Sequence, residues 1–110
     1  QFHQYSQMLK EAPVAIIVCA DPGRSKYPFD YWVQDCAAAT QNILLASVTA
    51  GLGTCWLGIY PQPERVDALR KIFNIPDFIV PFAVVAVGYA AKASRISDRF
   101  DEKRVHVEKW

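Results

Sequence analysis

Ten residues in the middle of the chain, Gly51-Leu52-Gly53-Thr54-Cys55-Trp56-Leu57-Gly58-Ile59-Tyr60, set three glycines among large apolar side chains, with no alternation that fits a plain strand. Glycine in such company marks a place where backbone comes close to something. The spacing is neither the dinucleotide fingerprint nor a Walker loop. Both histidines, His3 and His106, lie in terminal segments, and neither has a nucleophile beside it in a recognisable motif. That argues against Ser/His/Asp or Cys/His catalysis. No His/Cys/Asp/Glu cluster has ligand spacing, which argues against a metal site. What remains is an apolar, glycine-punctuated segment with free backbone N–H groups, together with arginines near the C-terminus. An aromatic heterocycle with carbonyl and ring-nitrogen acceptors and a phosphate suits both, the N–H groups facing the acceptors and arginine the phosphate. A flavin has that combination, and because such a cofactor performs the redox chemistry, the lack of a catalytic dyad is no objection.

These residues need elements to hold them. Met8-Leu9-Lys10-Glu11-Ala12 is helix-compatible and is closed by Pro13, which predicts a helix ending over residues 3–12. Val14-Ala15-Ile16-Ile17-Val18-Cys19 is a β-branched apolar run followed by Asp21-Pro22-Gly23, and reads as a central strand buried on both faces. Asp30 is placed to cap a helix of about twenty residues, or about 30 Å, with Trp32, Cys36, Ala39, Ile43, Ala46 and Ala50 inward and Gly51 at its end. Its small residues, Ala37-Ala38-Ala39 and Ala46-Ser47, suit either an ordinary central helix or one shared across a dimer interface. Glu64–Phe73 reads as an amphipathic surface helix with Val66, Leu69, Ile72 and Phe73 inward, and Ile79–Gly88 as a second buried strand with Pro81 near its start. The alternation Val105-His106-Val107, followed by Trp110, resembles a strand that needs a sheet edge, one that a partner could supply.

Composition sets the outer bounds. A chain of 110 residues, 52% hydrophobic, has the material for one core and one domain. Twelve Lys+Arg against eleven Asp+Glu leave a formal charge of +1, which argues against nucleic-acid binding. The nearly uncharged stretch from Cys36 to Gln62 is broken by polar residues and three glycines, so no membrane span is expected, and the start Gln1-Phe2-His3-Gln4 is no signal peptide. Cys19, Cys36 and Cys55 are odd in number and widely spaced, and read as buried thiols in a reducing cytosol. Lys92, Arg95, Arg99, Lys103, Arg104 and Lys109 hold half of the twelve positive charges, partly offset by Asp98, Asp101, Glu102 and Glu108.

Four pieces, in order, resemble the C-terminal part of an FMN-dependent nitroreductase family protein. They are Lys10–Val18, Asp35–Ala46, Gly51-Leu52-Gly53-Thr54-Cys55-Trp56-Leu57-Gly58, and Asp98–His106, the third being the most specific. The resemblance implies an α+β fold, a mixed sheet flanked by helices with a long central helix. It implies a homodimer with FMN at the interface, and ping-pong transfer of electrons from NADH or NADPH to a nitroaromatic, quinone or similar small acceptor. On this sequence the backbone N–H groups of Leu57 and Gly58 become donors to the N5/O4 edge of the isoalloxazine, with Cys55 and Trp56 lining its face. Arg99 takes the FMN phosphate, with Arg95 and Lys103 as weaker candidates. The family's Arg-rich first helix and its following Ser, Asn, Gln, Pro and Trp segment do not occur in these residues. Residue 1 is glutamine and Met8 is the only methionine, so the expectation is a piece of a longer protein, with a truncated product as the alternative. Two other readings are a non-catalytic interaction domain of the same fold and a dehalogenating or flavin-fragmenting relative.

Overall fold

Residues 80–88 are apolar at nearly every position, and in the computed structural model, which describes residues 6–92 and 97–110, they form the middle of the sheet. Strand β1 is Val14–Ala20, β2 is Gly53–Gly58 and β3 is Val80–Gly88, in the spatial order β1-β3-β2. Both pairings are antiparallel: Val14 lies opposite Val87 on one side, and Gly53 opposite Gly88 on the other. Because β3 is paired on both edges and covered on both faces, it is buried from Pro81 to Val87. Near its start the register with β1 slips, Val18 facing Ala83 and Cys19 facing Pro81, so Phe82 bulges out of the ladder. The prolyl nitrogen, which cannot donate, thus falls at an irregular place where few ladder bonds depend on it.

Helix α1, Trp32–Thr49, crosses one face of the sheet. Its side of the core is built from Ala20, Trp32, Cys36, Phe82 and Ala83, with Val18, Val33 and Trp56 packed against them. Helix α2, Pro63–Phe73, supplies Val66 and Leu69 to a second cluster with Leu57, Ile59 and Val84, closed by Met8, Leu9 and Ile17. Proline at its first turn, Glu64 near its start and Arg70 and Lys71 near its end suit the helix dipole. Asn74, at φ 51°, turns the chain out of it in the left-handed conformation. Arg70 then ties the following loop down, its guanidinium donating to the carbonyls of Asp77 at 2.8 Å and Ile79 at 3.0 Å.

The α+β class and the long helix agree with expectation, and so does Gly51, which closes α1 at φ 71°. The three described strands pair antiparallel throughout, so the parallel element of a mixed sheet is not among them. β1 is an edge strand and largely exposed, where its apolar run suggested a central one; β3 occupies the centre instead. Gly53–Gly58 is a regular strand despite its lack of alternation. Residues 3–5 lie outside the described residues, and Ser6–Lys10 forms a 3-10 turn rather than an α-helix.

The inward row of α1 is Trp32, Cys36, Thr40 and Ser47, leaving Ala39, Ala46 and Ala50 exposed. Two polar residues can face the sheet because each hydroxyl bonds to a carbonyl one turn back, Thr40 Oγ1 to Cys36 O at 2.6 Å and Ser47 Oγ to Ile43 O at 2.8 Å. Tyr31 rather than Asp30 occupies the N-cap position, and the Asp30 carboxylate accepts from Trp32 Nε1 instead. On α2, Ile72 and Phe73 face outward. Residues 105–110 form no strand; they are exposed, with the His106 ring stacked on Trp110 at 4.4 Å. Of the three thiols only Cys36 is buried, Cys19 being exposed and Cys55 half-buried.

Candidate functional site

The segment that drew attention in the sequence lies on a sheet edge that is free among the described residues, where β2 pairs with β3 on one side alone. Ile59 N and Tyr60 N both donate to Phe82 O, at 3.1 and 3.0 Å, which fixes the phase of the ladder just above. By the two-residue alternation of an antiparallel pair, the N–H of Leu57 points inward to Val84, and those of Trp56 and Gly58 point out to the free edge. The carbonyl of Gly58 confirms the phase. It leaves the strand on the same side as its own N–H and there accepts a 2.8 Å hydrogen bond from Arg65 Nη1, out of the first turns of α2. Of the two expected backbone donors, Gly58 faces outward and Leu57 is committed to the sheet.

Side chains alternate too, and this separates residues that the sequence reading grouped. Trp56 and Gly58 share the face covered by α1, the indole lying 6.0 Å from the Phe82 ring. Cys55 and Leu57 share the opposite face, with α2. Cys55 borders a cleft of about 320 Å³ at the other end of β2, beside Met8, Glu11, Gly88 and Tyr89. Cys55 and Trp56 therefore cannot line one face of a planar ring together.

Around Gly58 there is room. A Cβ built on it meets no atom within 4 Å, whereas one on Gly53 would lie 3.2 Å from the Ala90 Cβ. The close approach at Gly53 is thus explained by the chain itself, and that at Gly58 is left open to a ligand. An outward N–H, an unfilled volume beside it and a half-buried indole on the same face fit the edge of a flat heterocycle with an acceptor atom.

The hydrogen bond that Arg99 makes is not to this edge. Its guanidinium is exposed and its Nε donates to Ser97 Oγ at 3.0 Å. Lys103 is also exposed, its backbone N–H bonded to Asp101, and Arg95 lies outside the described residues. Arg65 was read as one of the outward charges of an amphipathic helix. Only the turn through Pro61 and Pro63 carries it back seven residues to Gly58, and helical spacing holds no sign of that.

A second cleft, of about 400 Å³, opens where β1 hands over to α1, between Arg24, Lys26, Tyr27, Trp32 and Asp35, with Cys36 beneath. Burial pushes the Cys36 thiol above its ordinary value of 9.0, and the negative charges of Asp35 and Cys19 add to the effect. Partial desolvation raises the Cys19 thiol as well, although the residue is exposed. Both thiols stay protonated and weakly nucleophilic at neutral pH, so this cleft holds no activated cysteine. Among the described residues no His/Cys/Asp/Glu group is arranged to hold a metal ion, and no helix is long and apolar enough to cross a membrane.

Comparison with known proteins gives a consistent picture. The family model described as "Nitroreductase family" matches residues 3–89. A protein of Archaeoglobus fulgidus, assigned by inference as an NADH dehydrogenase/NAD(P)H nitroreductase, is 53% identical over 109 residues, which are 96% of this chain and 63% of that protein. One of Methanothermobacter thermautotrophicus with the same assignment is 49% identical over all of this chain and 57% of its own length. The chain thus spans about three fifths of these curated relatives. Among solved structures, a Clostridium acetobutylicum protein assigned by inference as an NADH oxidase superposes with a TM-score of 0.93 at 44% identity, over 100% of this chain and 66% of the other. An FMN-dependent nitroreductase from Clostridium difficile does so with a TM-score of 0.83 at 25% identity, over 93% of this chain and 61% of the other.

Proposed function

The chain belongs to the nitroreductase family, and from that premise we propose that it is the part of an FMN-dependent oxidoreductase that holds the reactive edge of the flavin, in a protein that moves electrons from NADH or NADPH to a small acceptor such as a nitroaromatic or quinone. The family is one of oxidoreductases, and a structural relative carries FMN dependence in its name. The observation that carries the reading is Gly58: an N–H facing out of the sheet, a side-chain position that nothing fills, and a carbonyl already held by Arg65.

When bound, FMN supplies the electron-accepting ring. The residues of this chain would orient it. The Gly58 N–H would donate to the acceptor atoms of the N5/O4 edge, favouring negative charge there, and Trp56 would exclude water from the same face. In place of the pair first expected on the ring, Trp56 lies beside it, while Leu57 and Cys55 support β2 from the α2 side. Arg99 is the phosphate ligand in this proposal, with Lys103 and Arg95 behind it. Arg99 is exposed, so its guanidinium is open to a phosphate of the same chain's cofactor or to one bound across a subunit boundary.

The full-length protein should therefore take up FMN and show the visible absorption of a bound flavin. Arg99→Ala should weaken FMN binding by about 1.5–3 kcal/mol, the range for a charge-assisted hydrogen bond. Its affinity for riboflavin, which has no phosphate, should not change. A full-length protein that binds no added FMN would sink the proposal. Equal losses for FMN and riboflavin in the Arg99 variant would move the phosphate elsewhere.

A further inference from the structure

Arg65 is the one cation whose guanidinium reaches the open side of Gly58 among the described residues. Its Nη1 lies 2.8 Å from Gly58 O, the contact is partly buried, and no carboxylate pairs with it among the described ion pairs. In a β-strand the N–H and C=O of one residue leave on the same side. Gly58 O therefore sits beside Gly58 N–H on the free edge, where a bare carbonyl would present negative partial charge to the same ligand atoms that its N–H attracts. The guanidinium covers that oxygen and brings a full positive charge to the edge.

We propose that Arg65 is a positioning and charge-setting residue for the flavin edge. It locks the Gly58 carbonyl so that the adjacent N–H stays aimed outward, and its charge favours the electron-rich, reduced form of the bound ring over the oxidised form. This rests on the flavin reading above and goes beyond it, because it assigns the redox preference to a side chain on α2 rather than to backbone donors alone. A charge a few ångströms away at a partly buried edge is screened less than one in bulk water, so its removal should be measurable.

The test uses the full-length protein loaded with FMN and reads two quantities other than turnover, the midpoint potential of the bound flavin and the dissociation constant of oxidised FMN. Arg65→Gln keeps a hydrogen-bond donor for Gly58 O and removes the charge, whereas Arg65→Lys keeps the charge. The glutamine variant should lose about tenfold in its preference for reduced over oxidised FMN, a fall of about 30 mV for a two-electron couple. The lysine variant should stay within about twofold of the parent, about 9 mV on the same scale. The proposal is overturned by a glutamine variant with the parent's potential, or by glutamine and lysine variants that fall equally. It is also overturned by a glutamine variant that does not fold or that loses both redox forms alike, since Arg65 would then be architectural. Failure of the parent protein to take up FMN is a separate result, and it strikes the flavin reading itself.

Discussion

At Gly58 a methyl group would meet no atom of the described residues within 4 Å beyond its chain neighbours, so the packing described does not itself require glycine there. Valine is a good strand residue, and the site has no positive φ to forbid it. Gly58→Val should therefore leave the thermal midpoint of the FMN-free protein within a few degrees, yet weaken FMN binding by tenfold or more, on the order of 1.4 kcal/mol. Titration with FMN beside a melt of the apo form separates the two effects. Unchanged affinity would show that the ring edge lies elsewhere. Cys36 makes a prediction of the opposite kind, since its thiol is inert at neutral pH. Its folded pKa is raised above the ordinary 9.0 by burial first and by Asp35 and Cys19 second. As pH climbs through that ordinary value the unfolded chain releases the proton first and the folded chain keeps it. Stability from this group is thus whole below about pH 8 and falls as pH rises through the unfolded and then the folded pKa. Denaturant midpoints should decline from about pH 9 upward, and less steeply in Cys36→Ala. An identical slope in that variant would assign the alkaline loss to other groups.

Each helix serves the candidate site through one face, and the two faces differ in how openly the sequence declared them. On α2 the pair Val66 and Leu69 is buried against Leu57, Ile59 and Val84, and Leu69 is wholly inaccessible to solvent. Leu69→Ala should cost about 2–5 kcal/mol, the range for emptying a core site, whereas Ile72→Ala, on an exposed position of the same helix, should cost under about 1 kcal/mol. Urea unfolding of the two variants is the check, and equal losses would mean that the outer face of α2 is covered in the whole protein. Apolar identity alone put Ile72 and Phe73 inside, whereas both are exposed at the end of the helix, where the left-handed Asn74 takes the chain out of it. On α1 the inward row was expected to include Ala39, Ala46 and Ala50, and Thr40 and Ser47 take inward positions instead because their hydroxyls bond to Cys36 O and Ile43 O. The glycine-rich segment was legible as a place of close approach, and β3 as a buried strand, because both show in residue types. That β1 would lie at an edge, or that Arg65 would reach Gly58, depends on pairings between distant segments, which local periodicity does not contain.

Taken whole, the molecule shows more surface than its mass requires. A self-sufficient globule of 12.4 kDa is expected to expose about 6,100 Å², and this chain exposes 8900 Å². Its radius of gyration of 16.6 Å likewise exceeds the value of about 13 Å for a compact chain of this length. Apolar side chains on the site's scaffold are among what is exposed: Leu45 and Val48 on the outer side of α1 are 57% and 69% exposed, and Val14 and Ile16 stand uncovered on β1. Apolar residues such as these on the outer side of a helix suit a face that a larger structure covers. The cover can come from the two fifths of the curated relatives' length that this chain does not span, or from a second copy, the arrangement that the small residues of α1 allowed from the outset. These sources can be told apart on the full-length protein by light scattering. If a second copy packs on α1, the mass is twice that of one chain, and Leu45→Glu with Val48→Lys halves it while the FMN-free fold persists. FMN affinity should fall in the same variant if Arg99 reaches the cofactor of the partner. A dimer that survives both substitutions with its flavin would place the outer face of α1 against residues of the same chain, and would leave Arg99 to find its phosphate without a neighbour.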